Sequence, residues 1–167
     1  MRRLPVYLLI DCSESMAGAA IDSVNKAVQG MVRDLRGTPN ALETVAMSVI
    51  TFSGDARLVV PLTPVELFQI PTLTIRPGTS LGRALDLLAS CISTDVVRTT
   101  KDRKGDWRPL VFLFTDGQPT DDWRGAAERI KALTSPRIAN IYAIGCGDDV
   151  DFSVLHEITD IVFKTSA

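Results

Sequence analysis

The sequence has a single histidine, three cysteines and few aromatic residues. It also lacks any apolar run approaching the roughly 20 residues that span a bilayer. With only His156, no cluster of imidazole ligands can form. Cys12, Cys91 and Cys146 are widely spaced and form no Cys-x-x-Cys pattern. An odd count without a framework suits a reducing compartment, so a cytoplasmic location is expected. Each thiol reads as a small buried apolar residue. Cys12, inside the first loop, is the one candidate for reactivity. An excess of positive charge is missing too: 18 Lys and Arg face 20 Asp and Glu, for a net charge of −2. That argues against a nucleic-acid surface, while leaving room for local basic patches.

The 167 residues, 46% apolar and 23% charged, are enough for one soluble domain with a real core. No repeat, low-complexity tract or linker divides them, so a single domain over 1–167 is expected. The start, Met1 to Ile10, pairs two arginines with an apolar stretch, as a secretory signal does. The stretch is short and Asp11 interrupts it, so it reads as a first strand.

Strand and helix signals alternate from end to end. Val6–Ile10 is a short apolar run of the kind found in fully buried strands. Over Ala17–Leu35, Ile21, Val24, Ala27 or Val28, Met31, Val32 and Leu35 form one apolar stripe, which predicts a helix. Gly37 sits where a left-handed cap would end it. Thr44–Phe52 reads as a second central strand. After Ser53-Gly54-Asp55, Ala56–Leu62 reads as its hairpin partner on an antiparallel edge, where Pro61 and Pro64 are tolerated. Arg76-Pro77-Gly78-Thr79 predicts a turn of type II. Helix Ser80–Val97 follows, with Leu81, Ala84, Leu85, Leu88 and Ile92 inward. Arg98–Arg108 reads as an exposed connection. Then come strand Leu110–Thr115, helix Trp123–Leu133, strand Ile138–Ile144, helix Phe152–Ile158 and strand Asp160–Lys164.

This alternation implies an α/β fold: a doubly wound, mostly parallel sheet with helices on both faces. Ligands of such sheets sit beyond the carboxyl ends of the strands, where strand order reverses. After the first strand stands Asp11-Cys12-Ser13-Glu14-Ser15. After the fourth stands Asp116-Gly117-Gln118-Pro119-Thr120-Asp121. Before the helix at 80 stands Gly78-Thr79-Ser80. These segments offer two carboxylates and several hydroxyls, hard oxygen donors that favour Mg²⁺, Mn²⁺ or Ca²⁺. Hydroxyls as direct ligands, with carboxylates acting through water, would leave the ion electrophilic and open to an incoming carboxylate.

Asp11-x-Ser13-x-Ser15, Thr79 and Asp116 together resemble the metal-ion-dependent adhesion site of von Willebrand factor A (VWA) domains. The resemblance covers essentially the whole chain in the right order. It implies a Rossmann-like sheet of six strands, five parallel and one short antiparallel edge. It implies that Ser13, Ser15 and Thr79 contact a metal, most often Mg²⁺, while Asp11 and Asp116 act mainly through water. It further implies a protein partner that supplies an Asp or Glu carboxylate, or a phosphate. Within the family, Arg3–Met16 and Phe114–Asp121 look most like the bacterial TerY-type proteins associated with tellurium resistance. Those are linked to a protein kinase, a phosphatase and a stress response. The chain departs from the family by stopping at Ala167, where a covering C-terminal helix is expected: either the sequence is truncated there or one sheet face is bare.

Each piece has a plainer reading. Asp-x-Ser-x-Ser before a helix is also a capping sequence, Thr79 an N-cap, and Asp116-Gly117 a turn. Only the three in order, each after the right element, point to a metal. Glu14 reads as a solvated loop residue. Asp121 and Asp122 read as first-turn acids favoured by the helix dipole. Trp107 and Trp123 read as packing residues, Trp123 with a lesser claim to a partner surface, and His156 as structural. The basic stretch from Arg98 to Arg108 reads as a solvated loop that could also meet an acidic partner. A metal-assisted phosphatase or hydrolase is the competing function. The sequence offers it no phosphate-binding Gly-rich loop, no Gly-x-Ser-x-Gly and no histidine near the site. A phosphoacceptor receiver would need an acidic pair after the first strand, and only Asp11 is there.

Overall fold

A computed structural model describes residues 2–134 and 136–165 of the chain. Met1, which heads the basic start, and Ala167, after which the covering helix is expected, lie outside the described residues.

The chain opens with β1 (Leu4–Asp11), one tight helical turn at Glu14–Met16, and α1 (Ala19–Arg36). Next come α2 (Pro39–Thr44), β2 (Val45–Phe52), β3 (Ala56–Pro64) and α3 (Leu81–Asp95). The second half runs β4 (Leu110–Thr115), α4 (Trp123–Lys131), β5 (Asn140–Gly145), α5 (Phe152–Ile158) and β6 (Ile161–Lys164). Six strands form one sheet in the order β3-β2-β1-β4-β5-β6. All neighbours are parallel except β2 and β3, the expected hairpin. This is the mostly parallel VWA-like sheet of the sequence expectation.

Helices on both faces explain why β1 is a continuous apolar run. From Pro5 to Asp11 every residue is buried. Tyr7 and Leu9 face α3 and α4, together with Ile50, Phe52, Val111 and Leu113. Val6, Leu8 and Ile10 face α1, whose Ile21, Val24, Val28 and Val32 complete the other core. At about 1.5–3 kcal/mol for each aliphatic side chain taken from water, these layers dominate the stability of the sheet.

Four details depart from the sequence expectation. Gly37 has φ −82°, so α1 ends in a right-handed turn, with the Gly37 N–H on the Arg33 carbonyl at 3.0 Å. That turn leads into α2, whose Pro39 suits a first helical turn and which buries no residue, so no apolar stripe betrays it. β3 runs through both of its prolines, as an edge strand permits. The connection after α3 is a folded hairpin rather than a loose loop, with the Asp106 side chain only 5% exposed against Arg3. On the α1 side, Phe112 stacks on Tyr142 and Tyr142 on Phe163, with centroids 4.9 and 6.4 Å apart. Phe163 is 53% exposed at the outer end of this row.

Candidate metal site at the carboxyl edge of the sheet

The chain runs outward from β1 through β2 to β3, then crosses back to place β4 on the other side of β1. Strand order therefore reverses between β1 and β4, and ligands of such sheets bind beyond the carboxyl ends of the strands at that point. Asp11 ends β1 and Thr115 ends β4, and the two strands are in register through Ile10 and Phe114. The geometry of the parallel pair thus brings residues about a hundred positions apart side by side.

Asp11 is fully buried and has both carboxylate oxygens engaged. Oδ1 accepts the Ser13 N–H at 2.9 Å, and Oδ2 accepts the Thr115 hydroxyl at 2.7 Å. The first bond bends the chain so that Ser13 and Ser15 turn back over the strand end. Their hydroxyls lie 3.1 Å apart, and the Ser15 hydroxyl donates to Asp116 Oδ2. Asp116 Oδ1 accepts the Gln118 N–H at 3.2 Å. Burial pushes the Asp11 carboxyl above its ordinary range, the Asp116 charge adds to that, and the bonds from Ser13 and Thr115 oppose it. Among the described residues, no Lys or Arg donates to either carboxylate.

Thr79 is positioned by another route. Gly78, at φ +93°, turns the chain so tightly that a Cβ there would lie 2.7 Å from Gly54 Cα. The Arg76 N–H donates to the Cys12 carbonyl at 2.9 Å, tying this turn to the Asp-x-Ser-x-Ser loop. Thr120 then clamps the Thr79 backbone: its N–H meets the Thr79 carbonyl at 2.9 Å, and its hydroxyl oxygen accepts the Thr79 N–H at 3.2 Å. Thr79 is 6% exposed, beside the Asp116–Thr120 loop. Its hydroxyl makes no direct hydrogen bond to Asp11, Ser13, Ser15 or Asp116, which are linked among themselves. Thr79 does not cap α3 either, since Ser80 holds that position and turns its hydroxyl to the Gly54 carbonyl.

Two positioning residues escape a sequence reading focused on ligands. Thr115 bridges Asp11 and the Gly117 N–H, and its only sequence signal is its place before Asp116-Gly117. Thr120 gives no signal beyond being a hydroxyl in a turn. Asp121 has a role the sequence reading assigned to the wrong helix. Its carboxylate accepts the Gly82 and Arg83 N–H groups at 3.0 and 3.1 Å, so it caps α3 and holds the segment behind Thr79. Cys12 is 2% exposed in the α1-side core, with its thiol pushed up to about 12 by burial, so it is not a reactive loop thiol. Trp123 is buried and Trp107 is half-exposed. His156 is exposed on α5 and lines a depression with Asn140 and Ile161, at the amino ends of β5 and β6. It therefore faces the edge opposite the Asp11–Asp116 cluster.

Fold and cluster together define a doubly wound α/β domain with a cluster of oxygen donors at its topological switch point. The chain belongs to the von Willebrand factor type A domain family, whose model matches residues 6–165. Such domains typically mediate protein–protein interaction. Among solved structures the chain is similar to an aerotolerance-related membrane protein from Bacteroides fragilis NCTC 9343. The identity is 20% and the TM-score 0.66, over 98% of this chain and 92% of that one. It is similar to the ArnB paralog VWA2 from Sulfolobus acidocaldarius at 17% identity and TM-score 0.66, over 98% of this chain and 41% of that one. It is also similar to the pilus adhesin SpaC from Lactobacillus rhamnosus GG at 15% identity and TM-score 0.74, over the whole of this chain and 28% of that one. The chain thus spans less than half of the last two proteins. At these identities the likeness establishes the fold alone. No helix among the described residues is long and apolar enough to cross a membrane.

Proposed function

We propose that this domain is a Mg²⁺-dependent protein-binding module that captures an Asp or Glu carboxylate of its partner. The observation that carries the reading is the pair Asp11 and Asp116, joined through Ser13 and Ser15 with no basic side chain bonded to either carboxylate. Two adjacent carboxylates at a water-poor strand end favour a bound cation, which offsets their mutual repulsion. The donor chemistry fits a hard divalent ion, and the spacing fits its size. Neighbouring ligands of an octahedral ion bound at 2.0–2.1 Å stand about 2.9 Å apart, close to the 3.1 Å between the Ser13 and Ser15 hydroxyls. Mn²⁺ suits the same donors, and the larger Ca²⁺ suits them less well.

In this reading Ser13, Ser15 and Thr79 supply hydroxyl ligands, while Asp11 and Asp116 act mainly through water. Both Asp11 oxygens are already committed to Ser13 and Thr115. Asp11 therefore orients the loop and keeps a lone pair on each oxygen for a water. The ion, when bound, supplies Lewis acidity toward an anionic oxygen, a phosphate as well as a carboxylate. The resemblance of Arg3–Met16 and Phe114–Asp121 to TerY-type sequences supports a cytoplasmic role in a bacterial tellurium-resistance or stress-response system. A kinase and a phosphatase of that system are the first partners to test.

The test is affinity capture from the host's extract in Mg²⁺ buffer, followed by elution with EDTA. Partners are expected to leave with EDTA, to return with Mg²⁺ and to be absent from Asp116→Ala. Partners held equally in EDTA and by Asp116→Ala would overturn the proposal.

A further inference from the structure

The basic stretch between Arg98 and Arg108 plays no part in the metal site, and it is built rather than loose. Asp106 and Val97 close a hairpin: the Asp106 N–H donates to the Val97 carbonyl at 2.8 Å, and the Val97 N–H to Asp106 Oδ2 at 2.8 Å. Inside it, the Thr100 N–H meets the Arg103 carbonyl at 2.9 Å, and the Gly105 N–H meets the Thr99 hydroxyl at 3.0 Å. Gly105 lies so close to Val97 that a Cβ there would fall 2.1 Å from the Val97 carbonyl oxygen. The amino-terminal arm binds the hairpin from outside. Arg2 Nε donates to the Gly105 carbonyl at 2.9 Å, and Arg3 Nη2 pairs with Asp106 at 2.8 Å.

This construction fixes a group of cations at one place. Arg98, Lys101, Arg103, Lys104 and Arg108 are all exposed, and none forms a salt bridge among the described residues. Arg3 already neutralises Asp106, so Asp102 is the one free carboxylate in the hairpin. Two depressions meet at Arg2. One, of about 370 Å³, is lined by Arg2, Arg3, Arg103 and Lys104, and by Asp106, which Arg3 pairs. The other, of about 970 Å³, is lined by Leu4, Trp107, Leu110 and Ala139, with Arg2, Arg108 and polar side chains that include Asp106 around them. The Arg2 guanidinium lies 3.7 Å from the Trp107 ring centroid, a cation–π contact that orders the half-exposed indole in the lining of the larger depression.

We infer that this hairpin and Arg2 form a second docking surface, which receives an acidic protein segment carrying a bulky apolar side chain. Carboxylates fit the cation-lined hollow, and the apolar side chain fits the larger hollow beside Trp107. A bilayer would meet a protruding apolar surface better than a recessed one. A nucleic acid is disfavoured by the net charge of −2 on the whole chain. The surface sits at the amino ends of β1 and β4, whereas the metal site sits at their carboxyl ends. The eight-residue β1 keeps them about 25 Å apart, so this inference stands independently of the metal reading.

The test uses two fluorescein-labelled peptides of Glu and Asp, one with a central Leu and one with Ser in its place, titrated in EDTA at moderate salt. The Leu peptide is expected to bind. Arg103→Ala with Lys104→Ala should weaken it roughly tenfold, through the loss of two exposed charge pairs. Trp107→Ala should weaken the Leu peptide and leave the Ser peptide unchanged. Lys26→Ala with Arg33→Ala, exposed on α1, should leave both unchanged. Equal losses from the α1 pair would reduce the effect to unspecific charge and overturn the inference. So would absence of binding, or tighter binding to a single-stranded oligonucleotide of the same charge or to phosphatidylserine vesicles.

Discussion

Replacing Asp121 with alanine removes both acceptors that hold the first turn of α3. The carboxylate takes the Gly82 N–H at 3.0 Å and the Arg83 N–H at 3.1 Å, and Ser80, at the N-cap, gives that helix no side-chain cap. Gly82 is buried, so its N–H would find little water in exchange, whereas Arg83 is exposed and its N–H can be rehydrated. Leu81, Leu85 and Leu88 keep the helix docked through their packing, which limits the damage to its first turn. Loss of an N-cap costs about 0.5–2 kcal/mol, and the buried orphan places Asp121→Ala at about 1.5 kcal/mol. For a domain of this size that is a fall in Tm of roughly 3–6 °C. Asp122 is the matching control. It holds the N-cap position of α4 but accepts no capping bond, so Asp122→Ala should change stability by less than about 0.5 kcal/mol. Urea unfolding of the two variants side by side is the assay. An Asp122→Ala loss equal to or larger than that of Asp121→Ala would refute the assignment of the cap.

Further outcomes follow from the same contacts. Gly78→Ala should destabilise by about 1–3 kcal/mol, through its positive φ and the collision with Gly54, and should weaken metal binding by displacing Thr79; thermal unfolding with and without Mg²⁺ measures both. Burial alone would raise the Asp106 carboxyl, but the bonds from Arg3 and the Val97 N–H outweigh it and hold the carboxyl below its ordinary range. A depressed carboxyl contributes stability above its unfolded value, and that contribution fades as pH falls through the folded one. Asp106→Asn should therefore be less stable than the parent at neutral pH. The gap should close below about pH 4, as read from urea midpoints across pH. Arg124→Ala and Arg129→Ala break exposed pairs with Glu157 and Asp86, so neither should move the urea midpoint measurably.

Much of the fold could be read from the chain because its strongest signals are redundant. The Val6–Ile10 run, the stripe of Ile21, Val24, Val28 and Val32, and the alternation of the two kinds of element all favour one sheet with both faces covered. The edge strand announced itself through Pro61 and Pro64. The two motif loops were legible for the same reason: each follows a strand at its carboxyl end. What escaped was what a linear pattern does not carry. α2 has no apolar stripe because it buries nothing. Asp121 was assigned to the helix that follows it, whereas its acceptors cap a helix some forty residues earlier. Asp106 resembled its solvated neighbours, yet its burial depends on Arg3, 103 positions away. Thr115 and Thr120 are ordinary hydroxyl residues until the parallel pairing of β1 and β4 and the turn at Gly78 bring Asp11 and Thr79 to them.

The central claim, a divalent cation held by the hydroxyls of Ser13, Ser15 and Thr79 from two loops, is tested most directly by calorimetric titration of Mg²⁺ into the protein and into Ser13→Ala. The account predicts one site per chain in the parent and none measurable in Ser13→Ala. It also predicts a Mg²⁺-dependent rise in Tm, since saturation at a hundred times Kd adds about 2.7 kcal/mol, or roughly 5–10 °C. No heat and no rise in Tm in the parent, or equal binding by Ser13→Ala, would contradict it.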